Sequence, residues 1–377
     1  MTNLYRPYHS LRAGHWFKLI CGASFQHLPA IRNLTLAYVL AGADCIDVAA
    51  DPAVIEAARE AIQVAVTLAA EAQNRGYAAN LIEGGMPWLM VSLNDGEDPH
   101  FRKAEFDPSL CPPDCPRPCE TICPAQAIVF NRSEDNFSGV IDQQCYGCGR
   151  CLPVCPVQHI SARSYVSAPE VIAPLVLQGV DAVEIHTQVG RLTDFERLWR
   201  AIAPWIEHLK LVAISCPDGE DLIDYLQALY QIISPLPCPL VWQTDGRPMS
   251  GDIGDGATRA SVKLAEKVLA AHLPGYVQLA GGTNRHTVTK LRSIGLLNQI
   301  AGIAYGSYAR ALLSPVLDRL EIPILSPPAL AISGILSSNS SLVQLPPPPT
   351  RLEAVPSLLW QAVDLANSLV SQLKSSS

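Results

Sequence analysis

Eight of the twelve cysteines in this 377-residue chain lie between residues 111 and 155, in two runs with the spacing of metal ligands. The second run reads Cys145-Tyr-Gly-Cys148-Gly-Arg-Cys151-Leu-Pro-Val-Cys155-Pro156. This is the C-x2-C-x2-C-x3-C-P pattern of bacterial-type ferredoxins. Three thiolates on one tight loop each reach a different iron of a cube, and the fourth, after a turn, points to a neighbouring cluster. Gly147 and Gly149 let the loop wrap closely and leave backbone N–H groups for the cluster sulfurs. Pro156 stops the chain from continuing as an ordinary helix through the fourth ligand.

The first run reads Cys111-Pro-Pro-Asp-Cys115-Pro-Arg-Pro-Cys119-Glu-Thr-Ile-Cys123-Pro124. Its end, CETICPAQAI, matches CLPVCPVQHI in kind, but its two earlier gaps are three residues rather than two. With the cross-over of bacterial ferredoxins, one [4Fe-4S] cluster takes Cys145, Cys148, Cys151 and Cys123, and the other takes Cys111, Cys115, Cys119 and Cys155. The stretched run leaves three outcomes open for the second cluster: a loosely bound cube, a [3Fe-4S] cluster, or a cube with a ligand other than cysteine. A pair of zinc sites competes with this reading. Zinc knuckles, however, pair short C-x2-C turns across a longer gap, and do not place four cysteines in one run ending in Pro, twice. Cys21, Cys45, Cys216 and Cys238 fall in or beside expected strands and read as small buried hydrophobes. Cys21 and Cys216 end their strands, so either could line a site.

Such a segment needs a scaffold. Outside it, short β-rich apolar runs alternate with helical patterns, as in repeated βα units. Strands are expected at 16–21, 44–50, 88–93, 181–187, 209–215, 239–244, 276–281 and 300–306, and the stretches 52–76 and 257–273 carry apolar residues at helical spacing. Eight strands are the number that a closed parallel (β/α)8 TIM-like barrel needs; an open doubly wound α/β sheet is the alternative. The cysteine segment then occupies the connection after the third strand, on the loop-bearing C-terminal face, as an inserted two-cluster ferredoxin module. The expected division is 1–105 and 166–325 for the two halves of the barrel, 106–165 for the insert, and 326–377 for a Ser/Pro-rich linker and a C-terminal helix. That helix, over 356–373, reads as docked on the barrel, with a partner-binding role as the alternative.

The loops after the last two strands form a second candidate site. In phosphate-binding barrels these loops cradle a phosphate with backbone N–H groups. Here they supply Gly281, Gly282, Thr283, Arg285, Gly306 and Ser307. The run 179–186 is similar to a strand of flavin-dependent ene-reductase barrels, where a terminal histidine faces the substrate; His186 takes that place, without the second His or Asn that usually follows. These residues are candidates to hold FMN or another phosphate ligand. Tight βα turns account for the glycines, and a lone histidine at a strand end is more often structural than catalytic. The Gly-rich stretch 244–256 reads as a lid or a flexible loop.

With 49% hydrophobic and 16% charged residues the chain can bury a large core and is not a disordered protein. A formal charge of −8 and a pI near 5.6 argue against a nucleic-acid or anionic-membrane surface. No apolar run reaches the roughly 18 residues of a membrane span, and residues 1–16 lack the apolar core of a signal peptide. Cysteines with ligand spacing rather than a disulfide framework suit a reducing compartment, so a cytoplasmic protein is expected.

Taken together, residues 17–62, the cysteine pair, and GGTNRHTV followed by GIAYGSYAR resemble the cyanobacterial light-dependent period modulator family over most of the chain up to about residue 325. The resemblance implies an iron–sulfur redox input to the circadian clock. Such a protein reports a redox state set by light and the quinone pool, and associates with clock-input proteins. It makes the eight cysteines the sensing centre. Two other functions stay open: an oxidoreductase passing electrons to a flavin or small substrate at the barrel mouth, and an electron carrier or assembly factor of a photosynthetic or respiratory complex.

Overall fold

A computed structural model describes residues 6–22, 28–77, 81, 85–96, 102–123, 125–133, 135–142, 144–145, 151–164, 168–246, 258–321 and 351–374. Three strands precede the cysteine segment: β1 (Trp16–Gly22), β2 (Cys45–Ala49) and β3 (Trp88–Asn94). The segment itself adds β4 (Arg102–Glu105), β5 (Ile128–Val129), β6 (Gly139–Val140) and β7 (Ser161–Ser164). After it come β8 (Ala182–His186), β9 (Leu211–Pro217), β10 (Leu240–Asp245), β11 (Tyr276–Ala280) and β12 (Gly302–Tyr305). Eight of these form one closed barrel in the order β1-β12-β11-β10-β9-β8-β3-β2, with every pairing parallel. The fold is the closed TIM-like barrel rather than the open sheet.

Strand periodicity divides the residues between two cores. Along β1, Phe17, Leu19 and Cys21 join the large core between sheet and helices. Trp16 joins a separate interior cluster with Cys45, Trp88, Met90, Leu211 and Val241. Trp16 and Trp88 meet edge-on with centroids 5.5 Å apart. Leu11, from the helix Arg6–Ala13, packs into the same cluster and plugs the N-terminal end of the barrel.

The helix Pro52–Asn74 starts where the Asp51 side chain accepts from the Ala53 N–H and Pro takes the first turn. Its buried Ala58, Ala61, Ala65, Ala69 and Ala72 recur at three- and four-residue steps and allow close packing on the helix Leu28–Ala41. That second helix is buried along its whole length from Ile31 to Ala41, because the C-terminal helix Pro356–Lys374 covers its other side. Trp360 of the C-terminal helix stacks on Tyr77 with centroids 5.8 Å apart, while Arg75 sits 4.4 Å from the Trp360 ring. Arg32 makes a two-armed pair with Glu353 at 2.6 and 2.9 Å. Lys374 bonds Asp44 and Ser10 at the barrel's N-terminal end. The residues between these elements and the barrel, 322–350, and most of the Gly-rich stretch 244–256 lie outside the described residues. Among the described residues no helix is long and apolar enough to cross a membrane.

The cysteine segment leaves the barrel after β3 and returns through the helix Pro169–Leu177 to β8. Inside it, β4 pairs antiparallel with β7 and β5 with β6. Lys103 of β4 ties it to the barrel: its ammonium lies 3.7 Å from Asp51 and donates to the Asp142 carbonyl.

Candidate functional site

The doubled cysteine motif has a doubled geometry. In the first run the third cysteine, Cys119, lies in the short helix Pro118–Ile122, and Cys123 follows its last residue. In the second, Cys151 opens the helix Cys151–Val154, and Cys155 follows. Three residues after each fourth cysteine the chain turns through a left-handed glutamine, Gln126 at φ 50° and Gln158 at φ 53°. Each of these glutamines donates its N–H to the carbonyl of the cysteine three residues back, at 3.1 Å. The two helices pack on each other. Cys119, Cys123, Cys145, Cys151 and Cys155 share one small core with Ala127, Ile128 and Ile160, separate from that of the barrel.

This pairing carries Cys155 across to the first run. The Cys111 thiol is pushed up by burial and then by the neighbouring Cys115 and Cys155. Burial raises Cys119 to about 11, with Cys155 and Cys111 adding to the effect. Burial opposes ionisation at Cys155 too, yet the backbone N–H groups of His159, Val157, Ile160 and Gln158 hold its thiol below the ordinary range. Cys111, Cys119 and Cys155 therefore sit within mutual electrostatic reach, with Cys115 beside Cys111. On the other side, the Ala127 N–H donates to the Cys123 sulfur at 3.2 Å and the Ala104 N–H to the Cys145 sulfur at 3.4 Å. Backbone donors to ligand sulfurs are what an iron–sulfur site requires of its surroundings, so the residues present fit such a group. Cys148, Gly147 and Gly149 lie outside the described residues. Among the described residues no three Cys, His, Asp or Glu side chains converge as they would on a single metal ion.

His159 was missed from the sequence. Its Nε2 stands 3.6 Å from the Cys111 sulfur, and its ring packs on Phe106 with centroids 5.8 Å apart. The signal was present: CPVQHI carries a histidine where CPAQAI has alanine. Cys21, Cys45 and Cys216 are buried and Cys238 half-buried. Burial pushes Cys21 and Cys216 up to about 12, which leaves them unreactive.

The barrel interior above the tryptophans holds a second constellation. Lys18 of β1, Asp47 of β2 and Glu184 of β8 have side chains 1%, 2% and 0% exposed. Lys18 Nζ pairs with Glu184 and lies 3.1 Å from Asp47 Oδ2. Neither β1 and β8 nor β10 and β8 are neighbours in the sheet, so the Lys18 and Gln243 contacts to Glu184 cross the barrel. His186, with its side chain 28% exposed at the end of β8, places Nε2 3.1 Å from Glu184 Oε1. Of these residues only His186 was singled out from the sequence.

At the rim, Gly281 and Gly282 turn the chain with φ of 67° and 88°, a pair of conformations that favours glycine. Thr283 spends its hydroxyl on the Ala304 carbonyl at 2.6 Å, and Arg285 is exposed, its Nε 2.9 Å from His286. Gly306 precedes the helix Ser307–Glu321. Arg310, one turn into that helix, donates to the Ile20 carbonyl and to Ser307 Oγ, both at 3.1 Å. Among the described residues Arg310 pairs with no carboxylate, and the sequence reading had passed it over.

The family model described as the LdpA Fe-S cluster-binding domain matches residues 111–166. That described as the Light dependent period A C-terminal domain matches residues 175–372. The second match includes the docked C-terminal helix and extends past residue 325, where the resemblance visible in the sequence ended. A protein of Synechococcus elongatus, "Light dependent period A", is 48% identical over 322 residues, covering 83% of this chain and 85% of its own. Among solved structures, tryptophan synthase from M. tuberculosis in its aminoacrylate- and BRD0059-bound form overlaps with a TM-score of 0.40 at 11% identity, covering 98% of each chain. The open form with BRD0059 bound gives 0.39 at 12% identity, covering 98% of this chain and 99% of that one. Those overlaps are too slight to bear on fold or function. The insert is an iron–sulfur cluster-binding domain.

Proposed function

The chain belongs to the light dependent period A family, and from that premise we propose that it is a redox-responsive iron–sulfur protein that passes a light-set signal to the circadian clock through protein partners. Two clusters carry the response, one on Cys123, Cys145, Cys148 and Cys151, the other on Cys111, Cys115, Cys119 and Cys155. The observation that most supports this is the position of Cys155 beside Cys111 and Cys119, the neighbours that the cross-over requires. Bound clusters supply one-electron chemistry at potentials set by net charge, hydrogen bonds to sulfur and exposure.

At the first site Cys145 and Cys151 are buried and Cys123 half-buried, with N–H donors at Cys145 and Cys123. At the second, Cys119 and Cys155 are buried and Cys111 and Cys115 half-buried. There Leu110 and Val157, 66% and 46% exposed, flank the ligands as an apolar contact surface for a protein partner or redox carrier. His159 beside Cys111 offers the second cluster a ligand other than cysteine.

The test is rescue of a Synechococcus strain that lacks its own Light dependent period A protein. The intact chain should restore the dependence of period on light, and chains with Cys148→Ser or Cys155→Ser should not. Equal rescue by the serine variants would sink the proposal, because the signal would then not pass through the clusters.

A second reading concerns the rim. We infer that Gly281, Gly282, Thr283, Arg285, Gly306 and Ser307, with His186 below, take a phosphate-bearing ligand such as FMN. Arg310, beside Ser307 and paired with no carboxylate among the described residues, supports this. Flavin fluorescence released on denaturing gently purified protein would bear it out, and its absence would count against it.

A further inference from the structure

The turns that close the two cysteine runs are near copies. Each reads Cys-Pro-x-Gln-x-Ile, from Cys123 to Ile128 and from Cys155 to Ile160. Ala125 answers to Val157, and only the exchange of Ala127 for His159 brings in a new polar group. Both turns pass through a left-handed glutamine whose N–H returns to the cysteine carbonyl at 3.1 Å. In the first copy the Ala127 N–H then donates to the Cys123 sulfur at 3.2 Å. In the second, the N–H groups of Val157, Gln158, His159 and Ile160 face the Cys155 sulfur. Backbone donors thus serve both copies, and the imidazole is what the second has in addition.

That imidazole reaches a cysteine of the other run. Its Nε2 stands 3.6 Å from the Cys111 sulfur. Chemistry decides which of the two atoms donates. A cysteine that holds iron does so as the thiolate, which has no hydrogen to give, so the hydrogen lies on Nε2. Each iron of a cube takes a single cysteine. Where Cys111 supplies it, His159 is left to act on the sulfur rather than on the iron. Packing fixes the ring: its centroid lies 5.8 Å from that of Phe106, which rests in turn on Phe130 at 5.7 Å. Both phenylalanines pack against the insert's own core. A hydrogen bond to a ligand sulfur favours the more negative, reduced state of a cluster and so raises its potential.

We propose that His159 tunes the second cluster: its Nε2–H donates to the Cys111 thiolate, raises that cluster's reduction potential, and biases an entering electron toward it. His159 acts through Cys111 and is a positioning residue. The hydrogen stays on Nε2, no bond is made or broken, and the electron comes from an external one-electron carrier. The inference rests on the assignment of Cys111 and Cys155 to one cluster.

The test is redox-titrated EPR of the full cluster-loaded chain under anaerobic conditions, with iron and acid-labile sulfide quantified. The second cluster's signal is the one that Cys155→Ser removes. His159→Phe keeps a ring against Phe106 but has no N–H, and His159→Ala makes the turn match the first copy at that position. Both should lower the second cluster's potential. Its reduced-to-oxidised ratio at a fixed potential should fall about tenfold, which for one electron is about 59 mV. The first cluster's potential and the iron and sulfide content should stay as in the parent. An unchanged or higher potential in His159→Phe overturns the proposal, even if His159→Ala shifts, because packing rather than the N–H would then be responsible; the cysteine assignment would still stand. Iron lost from the second cluster in both variants overturns it as well, and makes His159 an iron ligand. If Cys155→Ser removes neither signal, the cysteine assignment fails and the inference falls with it.

Discussion

Cys155 belongs by sequence to the second cysteine run and in space sits with the first. The spacing makes it a candidate ligand, and the packing of two short helices puts it beside Cys111 and Cys119. Cys155→Ser should therefore remove the cluster built on the stretched run and spare the one on Cys123, Cys145, Cys148 and Cys151. Iron quantification with EPR checks this, and loss of the second run's own signal would contradict it. Cys216→Ser, on a buried thiol outside the insert, should change neither cluster. Asp47 allows a prediction in pH. Its folded carboxyl holds a proton more tightly than the unfolded one, because of burial. Stability from this group is therefore present at low pH and lost as pH rises above the ordinary value of 3.8 toward the raised one. Asp47→Asn keeps a polar group for Ser92 and removes this dependence. Its urea midpoint should gain on the parent's as pH rises above 3.8; parallel curves would refute the raised Asp47 carboxyl. The cysteine motif was readable because its residues are close in sequence. Lys18, Asp47 and Glu184 were not, since their contacts span up to 166 residues and form only when the barrel closes. Their one trace was a charged residue in the middle of each of three mostly apolar strands.

Among the elements, the barrel strands were readable from their apolar runs, with ends shifted by a residue or two, as at β9 (Leu211–Pro217) against the expected 209–215. The pairing of β4 with β7 was not readable, because four-residue strands at the two ends of an insert carry no periodic signal. The C-terminal helix shows what amphipathic spacing can establish. Its apolar face was visible, but its seat on Leu28–Ala41 and Ser307–Glu321 was not, since periodicity along one helix does not name the elements that cover its apolar face. Leu369 is 1% exposed in that interface. Leu369→Ala should cost about 2–5 kcal/mol, read as a lower urea midpoint with unchanged iron content. An unchanged midpoint would mean that the helix is not part of the barrel's cooperative unit.

At the scale of the whole molecule, a barrel of eight parallel strands carries the iron–sulfur insert on the connection after its third strand, the face where barrels of this kind place their sites. Lys103, pinned to Asp51 at the start of the helix that follows β2, fastens the insert there. The most direct measurement is redox-titrated EPR on anaerobically purified protein, with iron and acid-labile sulfide quantified on the same sample. The account predicts two distinct cluster signals, with iron and sulfide for two clusters per chain, or one iron fewer where the stretched run holds three. A single signal with iron for one cluster, or metal content dominated by zinc without sulfide, would contradict it.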